Sequence, residues 1–157
     1  MLIDTNSFAV KRLGAEDTLA PEKTALIVID MTNRFLDAGW LSGGNPEHER
    51  WLNSEKAVVV PNIRALLVAC RDAGVLVAHV VNAKWTESAR EAVAYQRGRE
   101  YGLFDTPEMS VIDALAPVPG EIVVRKVCSS AFTGTGLDYM LRNAGITDVV
   151  LTGTWGS

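Results

Sequence analysis

The sequence predicts an α/β protein with a three-layer α/β/α architecture and a parallel sheet. Short apolar runs alternate with segments of helical periodicity, which is the order that right-handed βαβ crossovers produce. The first run, Thr24–Asp30, is apolar from Ala25 until its terminal carboxylate, as expected for a strand buried on both faces. Because the carboxyl ends of parallel strands meet at one edge of a sheet, we expect a ligand site at that edge.

Two helices and three further strands complete the predicted sheet domain. Apolar residues recur at i, i+3, i+4 and i+7 over Pro61–Ala73 and again from Thr135 to Gly145, so both segments are predicted helices. The predicted strands after the first one are Val75–Val81, Ile122–Arg125 and Asp148–Thr152.

Four other segments have weaker patterns. Residues 1–23 are polar and mixed, and we expect them to form an N-terminal arm ahead of a domain over residues 24–157. Asp37–Glu55 is predicted to be a loop, broken by a Gly-Gly-Asn-Pro sequence. Thr86–Tyr101 is compatible with a helix that has a weak apolar face, and Ser110–Leu115 with a short helix that begins in a Ser110–Asp113 capping box.

Composition narrows the class of protein. The 157 residues fit one globular domain, since 48% are apolar and 22% are charged. A net charge of −4 argues against a nucleic-acid partner. Two cysteines cannot form a disulfide framework, and the sequence has neither a run of about 20 apolar residues nor a signal-peptide core. We therefore expect a cytoplasmic protein that does not associate with membranes.

Chemically useful side chains follow the predicted strands. Asp30 ends the first strand, Trp85 lies in the loop after the second, Lys126 ends the third, and Gly153-Thr154-Trp155 ends the fourth. A carboxylate beside an ammonium group stays ionised and accepts a proton, and the ammonium favours a neighbouring thiolate. The alternatives are ordinary structural roles: Asp30 as a turn or cap residue, and Lys126 as a solvated side chain.

Two motifs resemble the isochorismatase-like cysteine hydrolases. Asp30-Met-Thr-Asn33-Arg-Phe35 is similar to the opening Asp-Met-x-Asn-x-Phe motif of that family. The segment from Lys126 through Ser130-Ala131-Phe132 to Gly134-Thr135 and Leu137 resembles a second, longer family signature, and Gly153-Thr-Trp155 resembles the loop that leads to the nucleophile. The resemblance extends from about Glu22 to Ser157 and implies a Rossmann-like topology.

The resemblance also implies roles for individual residues. Asp30 would be the base that takes the thiol proton, and Lys126 would stabilise the thiolate. Thr154 and Trp155 would form an oxyanion loop joined by a non-proline cis peptide bond. We expect the substrate-binding residues to be Asn33, Phe35, Trp85, Phe132 and Trp155.

The implied reaction is hydrolysis of an amide, ureido or carbamoyl C–N bond in a small polar substrate through a covalent acyl-enzyme. We expect no cofactor and no metal, because the Asp and two His ligands of the nicotinamidase branch have no counterpart here. The carbamoylsarcosine and ureido branches are therefore favoured. The alternatives are an isochorismatase-type vinyl ether hydrolase and a non-catalytic fold relative. The family resemblance also implies a homodimer or homotetramer.

The sequence departs from the family at the nucleophile. By the family spacing, the cysteine would fall about six residues after Gly153, near position 159, beyond the 157 residues. We therefore expect this chain to be the N-terminal part of a hydrolase that is roughly 40–60 residues longer. Cys128, two residues after Lys126, is the alternative nucleophile, but we interpret it as a small buried hydrophobic residue. We assign Cys70 to the core and expect His79 to be buried and hydrogen-bonded.

Overall fold

The computed structural model describes residues 18–36, 45–97 and 102–154. Within these ranges, four parallel strands form one sheet in the order β3-β2-β1-β4. The strands are β1 (Thr24–Ile29), β2 (Leu76–Asn82), β3 (Ile122–Lys126) and β4 (Asp148–Gly153). The α/β prediction is confirmed, and each predicted strand end lies within one residue of the observed end.

Five α-helices lie in the described ranges, namely α1 (Asn33–Leu36), α2 (Pro46–Ser54), α3 (Val60–Asp72), α4 (Ala94–Arg97) and α5 (Leu137–Asn143). A π-helical turn, Glu55–Val59, joins α2 directly to α3. Short 3₁₀ turns cover Pro21–Lys23 and Asp113–Leu115. No helix in the described ranges has the length and apolar character that crossing a membrane requires.

The helices cover both faces of the sheet because side chains alternate along each strand. One core lies between the sheet and α3, and it contains Leu26, Val28, Ile63, Leu67, Val77 and Val81. The opposite core lies between the sheet and α5, and it contains Ala25, Ile27, Ala78, Val80, Val124, Leu137 and Leu141. Each fully buried Leu or Ile contributes about 1.5–3 kcal/mol of transfer free energy, so the two cores fix the three layers.

The predicted helix ends at Gly74 and Gly145 are confirmed. Both glycines have a φ of 73°. This left-handed conformation has a low energetic cost for glycine because glycine has no side chain. Their N–H groups bond to the carbonyls of Arg71 and Arg142, which closes the last turns of α3 and α5.

The predicted loop over Asp37–Glu55 is wrong for residues 46–54, which form α2. Residues 37–44 lie outside the described ranges. The Asn-Pro pair begins a helix here: the Asn45 side chain accepts a hydrogen bond from the Glu47 N–H at 3.0 Å, and Pro46 occupies the first turn. Proline is tolerated there because the first N–H groups of a helix have no intrahelical acceptor.

The π-helical turn between α2 and α3 also has a cause in the sequence. Pro61 has no N–H to donate to residue 57, and its ring would crowd that carbonyl. The chain accommodates Pro61 by widening the preceding turn, so that the Val60 N–H bonds to the carbonyl of Glu55, five residues earlier. The predicted helix at Pro61 therefore continues an earlier helix instead of starting independently.

Two other predictions of helical structure need correction. Of Thr86–Tyr101, only Ala94–Arg97 is helical; residues 86–93 form bends and turns, and residues 98–101 lie outside the described ranges. The Ser110–Asp113 capping box is wrong because the Ser110 hydroxyl donates to the Thr106 carbonyl at 3.0 Å, and the 3₁₀ turn begins only at Asp113.

The β1–β4 pair lies at a topological switch point. From β1 the chain crosses to β2 on one side, whereas β4 returns to the other side of β1, so crossovers leave in opposite directions. The register pairs Ile29 with Gly153, and the Thr154 N–H then donates to the Ile29 carbonyl at 3.2 Å. The residues that follow these two strands therefore lie next to each other.

We expect Gly153→Ala to destabilise the fold by about 3 kcal/mol. Gly153 has a φ of 143°, and a Cβ at this position would collide with the carbonyl of Ile29. The control is Gly120→Ala, where φ is 99° but the space around the Cβ is open. In Gly120→Ala only backbone strain should reduce the free energy of unfolding, by about 1–2 kcal/mol. Urea unfolding measures the loss of stability in both variants. Equal losses would show that the contact with the Ile29 carbonyl adds nothing to the cost at Gly153.

Candidate active site

A buried ion pair joins the ends of β1 and β3. The Asp30 Oδ2 and Lys126 Nζ atoms are 2.8 Å apart, and each residue is 5% exposed. The Lys126 ammonium also donates to the Ser129 carbonyl at 3.1 Å. Strand β2 lies between β1 and β3, so the ion pair extends across the end of β2. The two predicted catalytic residues are therefore in direct contact.

The backbone at Asp30 turns its side chain out of the strand. Asp30 has a φ of 58°, a left-handed conformation that costs about 1 kcal/mol and that Asp tolerates better than most residues. Its N–H donates to the Val80 carbonyl at 2.8 Å, and its own carbonyl accepts from the Thr32 N–H at 2.9 Å. Strain of this kind concentrates at functional sites, where the surrounding structure holds it in place.

Burial dominates the electrostatics of Asp30. It raises the pKa of this carboxyl above its ordinary value of 3.8, although the Lys126 ammonium and a hydrogen bond from the Asn82 backbone both favour the charged form. The second carboxyl oxygen, Oδ1, is buried and has no hydrogen-bond partner. Asp30 therefore keeps one oxygen bound by Lys126 and one oxygen free to accept a proton.

Thr154 follows β4 and lies next to the end of β1, and the Glu55 carboxyl lies near the Thr154 hydroxyl. Thr154 is 4% exposed, and its Oγ1 has no hydrogen-bond partner. Burial raises the pKa of the Glu55 carboxyl, which is partly offset by the nearby Thr154 hydroxyl. The sequence pattern does not single out Glu55, which ends the predicted loop; Pro61, six residues later, is the sequence signal of the distorted turn that carries Glu55.

The predicted substrate residues Asn33 and Phe35 lie on α1. The Asn33 side chain donates to the Pro107 carbonyl at 2.8 Å, and Phe35 is buried. Asn33 also borders a cavity of about 410 Å³, whose other described lining residues are Leu36, Lys56, Val60 and Ile112. Asp30 and Lys126 are not among the described residues that line this cavity, so Asn33 borders a space separate from the ion pair.

Trp85 packs against a side chain that sequence reasoning did not single out. The Arg125 guanidinium lies 3.0 Å from the centre of a Trp85 ring and 4.3 Å from that of Phe104. The Glu91 carboxylate fixes the loop by accepting from the Trp85 and Thr86 N–H groups at 2.6 and 3.0 Å. Hydrogen bonds from its own N–H and from these two residues lower the pKa of Glu91 to about 2. Trp85 remains 60% exposed, so one face is open to a ligand.

The remaining predicted site residues are only partly described. Phe132 lies in the loop after β3, is 44% exposed, and donates its N–H to the Ser130 hydroxyl at 3.2 Å. Trp155 lies outside the described ranges, and so does the predicted cis peptide bond that would join it to Thr154. The roles of these residues in binding and as an oxyanion loop stay predictions.

The cysteines and His79 occupy structural positions. The Cys128 thiol is buried and donates to the carbonyls of Ser130 and Thr133 at 3.1 and 3.3 Å, which agrees with our interpretation of Cys128 as a small buried side chain. Cys70 is half-buried against the α3 core, and burial raises its pKa. His79 is fully buried, and its Nε2 lies 3.0 Å from Glu121. In the described part of the chain, no three His, Cys, Asp or Glu side chains cluster as a metal site requires.

Comparison with known proteins identifies relatives of this fold. The family model described as the isochorismatase domain matches residues 24–157. Ureidoacrylate amidohydrolase RutB of Cronobacter sakazakii is 31% identical over 154 residues, which covers 87% of this chain and 64% of that protein. The chain thus spans a little under two thirds of the length of this relative.

Solved structures with a similar fold include two hydrolases. A cysteine hydrolase from Pseudomonas syringae pv. phaseolicola superimposes with a TM-score of 0.68 at 27% identity, covering 87% of this chain and 62% of that one. N-carbamoylsarcosine amidase from Thermoplasma acidophilum superimposes with a TM-score of 0.65 at 31% identity, covering 83% of this chain and 67% of that one.

We expect Asp30→Asn to change how stability depends on pH. A carboxyl with a raised pKa stabilises the folded state fully below its ordinary value of 3.8, and that contribution is lost as the pH rises through the folded-state pKa. The unfolding free energy of the wild type, relative to Asp30→Asn, should therefore fall as the pH rises above 3.8, by about 1.4 kcal/mol for each unit that separates the two pKa values. Urea unfolding across a pH series measures this, and a difference that increases with pH would show that Lys126 outweighs burial.

Proposed function

Since the chain belongs to the isochorismatase family, we propose that the protein hydrolyses an amide, ureido or carbamoyl C–N bond in a small polar substrate. The observation that carries this proposal is the buried Asp30–Lys126 pair, in which Asp30 Oδ1 has no hydrogen-bond partner. Relatives named as a ureidoacrylate amidohydrolase and an N-carbamoylsarcosine amidase support C–N cleavage.

In the proposed mechanism, Asp30 Oδ1 accepts the proton of a cysteine thiol, and Lys126 holds the Asp30 carboxylate in place and favours the thiolate. The thiolate sulfur attacks the substrate carbonyl carbon, and the tetrahedral intermediate collapses as the C–N bond breaks. The leaving nitrogen takes the proton back from Asp30 and departs as ammonia or an amine. Water then attacks the thioester, which releases the acid and returns the proton to sulfur. A raised pKa suits this carboxyl to both proton transfers.

Residues 1–157 contain no cysteine at the position where the family spacing places the nucleophile. Cys128 is the alternative, but its sulfur is directed to two backbone carbonyls instead of to the Asp30–Lys126 pair. We therefore propose that the nucleophile follows Thr154, close to the N-terminus of the next helix, where N–H groups favour a thiolate and an oxyanion. We further propose that the protein assembles as a homodimer or homotetramer, which light scattering would test.

Intact mass and iodoacetamide labelling of the natural gene product test the source of the nucleophile. We expect a mass several kilodaltons above 17.0 kDa and one fast-reacting cysteine just beyond residue 157. A mass near 17.0 kDa with fast labelling of Cys128 would assign the nucleophile to Cys128. The same mass with no reactive thiol would contradict a cysteine mechanism.

Ammonia release from ureido and carbamoyl compounds tests the reaction itself, because a vinyl ether hydrolase releases none. We expect Asp30→Asn to lower kcat by about a thousandfold, since general acid–base catalysis contributes 10²- to 10⁴-fold. The control is Asp138→Asn, which removes an exposed carboxylate on α5 that pairs with Arg142. Comparable losses in both variants would exclude a specific role for Asp30.

A further inference from the structure

The outer face of α3 is apolar although it points away from the sheet. Ile63 and Leu67 form the buried side of this helix. On the opposite side Val68 is 50% exposed, and Ala65 and Ala69 on either side of it are exposed as well. A helix at the surface of a domain normally presents polar residues to water. A contiguous apolar patch on such a helix indicates a surface that packs against another one.

An open cavity of about 470 Å³ extends this apolar face towards the 3₁₀ turn Asp113–Leu115. All but one of its described lining residues are aliphatic, and they are Val60, Pro61, Arg64, Ala65, Val68 and Ala114. The surface beside Val68 is therefore concave and apolar, which is a shape that receives the ridge of another helix.

Two exposed charges of opposite sign flank Val68. Arg64 lies four residues before it and Asp72 four residues after it, so the three residues follow one ridge of α3. Each charge is then about 6 Å from Val68 along the helix, and the two are about 12 Å apart, which is too far for them to pair with each other. Neither side chain forms a hydrogen bond or an ion pair with any described residue.

This arrangement is self-complementary in an antiparallel pair of α3 helices. With a two-fold axis beside Val68, Arg64 of each helix faces Asp72 of the other, and two ion pairs form. Val68 meets its own copy between them, and the small side chains of Ala65 and Ala69 let the helices approach closely. A two-fold interface requires this kind of self-complementarity, because the same patch is present on both sides. A parallel pair would instead place like charges together.

We propose that the outer face of α3 is a dimer interface, and that its occupant is α3 of a second copy of this chain, antiparallel and related by a two-fold axis at Val68. This inference rests on the homo-oligomeric assembly proposed above and names its contact surface. It does not depend on the proposed hydrolysis, because no residue of this face belongs to the candidate active site.

Charge reversal in the full-length natural gene product tests the two ion pairs. Arg64→Asp and Asp72→Arg each place like charges opposite one another at both contacts, and each should weaken dimerisation about tenfold at low ionic strength. The double variant restores both pairs with their signs exchanged, so its dimerisation Kd should return to within about threefold of the wild-type value. Sedimentation equilibrium measures these constants. The matched control is Arg50→Asp, the same charge change at an exposed position on α2, and it should leave the Kd unchanged.

Val68→Cys tests the position of the axis. A residue on a two-fold axis lies next to its own copy, so two thiols at position 68 should form an intermolecular disulfide under mild oxidation. A non-reducing gel should then show a covalent dimer. The control is Val58→Cys, which is 53% exposed in the wild type but lies about 15 Å away along the helix, and it should stay uncrosslinked. The wild type, which retains Cys70 and Cys128, should also stay uncrosslinked.

The outcomes separate this inference from the other proposals. A wild type that is a stable monomer would overturn both the inference and the proposed assembly. An oligomer that neither single reversal weakens, or that the folded double variant fails to restore, would overturn the inference and leave the assembly standing. A dimer in which Val68→Cys does not crosslink would also overturn it. Ammonia release is measured on the same wild-type sample, so failure of the proposed hydrolysis is seen independently. A thermal melt of each variant confirms that it is folded.

Discussion

The ion pair between Asp30 and Lys126 requires three strands to end at the same level. Strand β2 lies between β1 and β3, so the two partners start about 10 Å apart across the sheet. Asp30 leaves β1 with a positive φ, and the four-carbon stem of Lys126 reaches towards it past the end of β2, so that their charged groups meet at 2.8 Å. Any shift of register along β2 would separate them, and both charges would then be buried without a partner.

Most of the sheet could be predicted from the sequence because its signals are local. Continuous apolar runs mark strands buried on both faces, and Gly74 and Gly145 mark the ends of α3 and α5. The sequence pattern gives the wrong prediction where the same residues occur both in loops and at the start of helices. Asn45-Pro46 was interpreted as a break in the chain, but the same pair caps and begins α2. The sequence pattern does not distinguish these uses, since the difference lies in whether the following residues find a core to pack against.

The candidate site was predictable only where strand ends define it. Asp30 and Lys126 follow strands, so the topology alone brings them to one edge. Glu55 approaches Thr154 from a helical segment, and its position depends on how Pro61 distorts the turn before it. The stacking of Trp85 on Arg125 likewise depends on how the loop after β2 folds back over β3, which neither periodicity nor spacing encodes.

The Asp30 carboxyl differs from an ordinary buried acid because a cation meets only one of its oxygens. Burial raises the pKa of Asp30, although the Lys126 ammonium at 2.8 Å opposes that rise. The paired carboxylate is held in a fixed position and keeps one free oxygen, which is what proton transfer requires. Loss of the Lys126 ammonium would therefore leave the Asp30 carboxylate buried without a cation and its second oxygen without a fixed position.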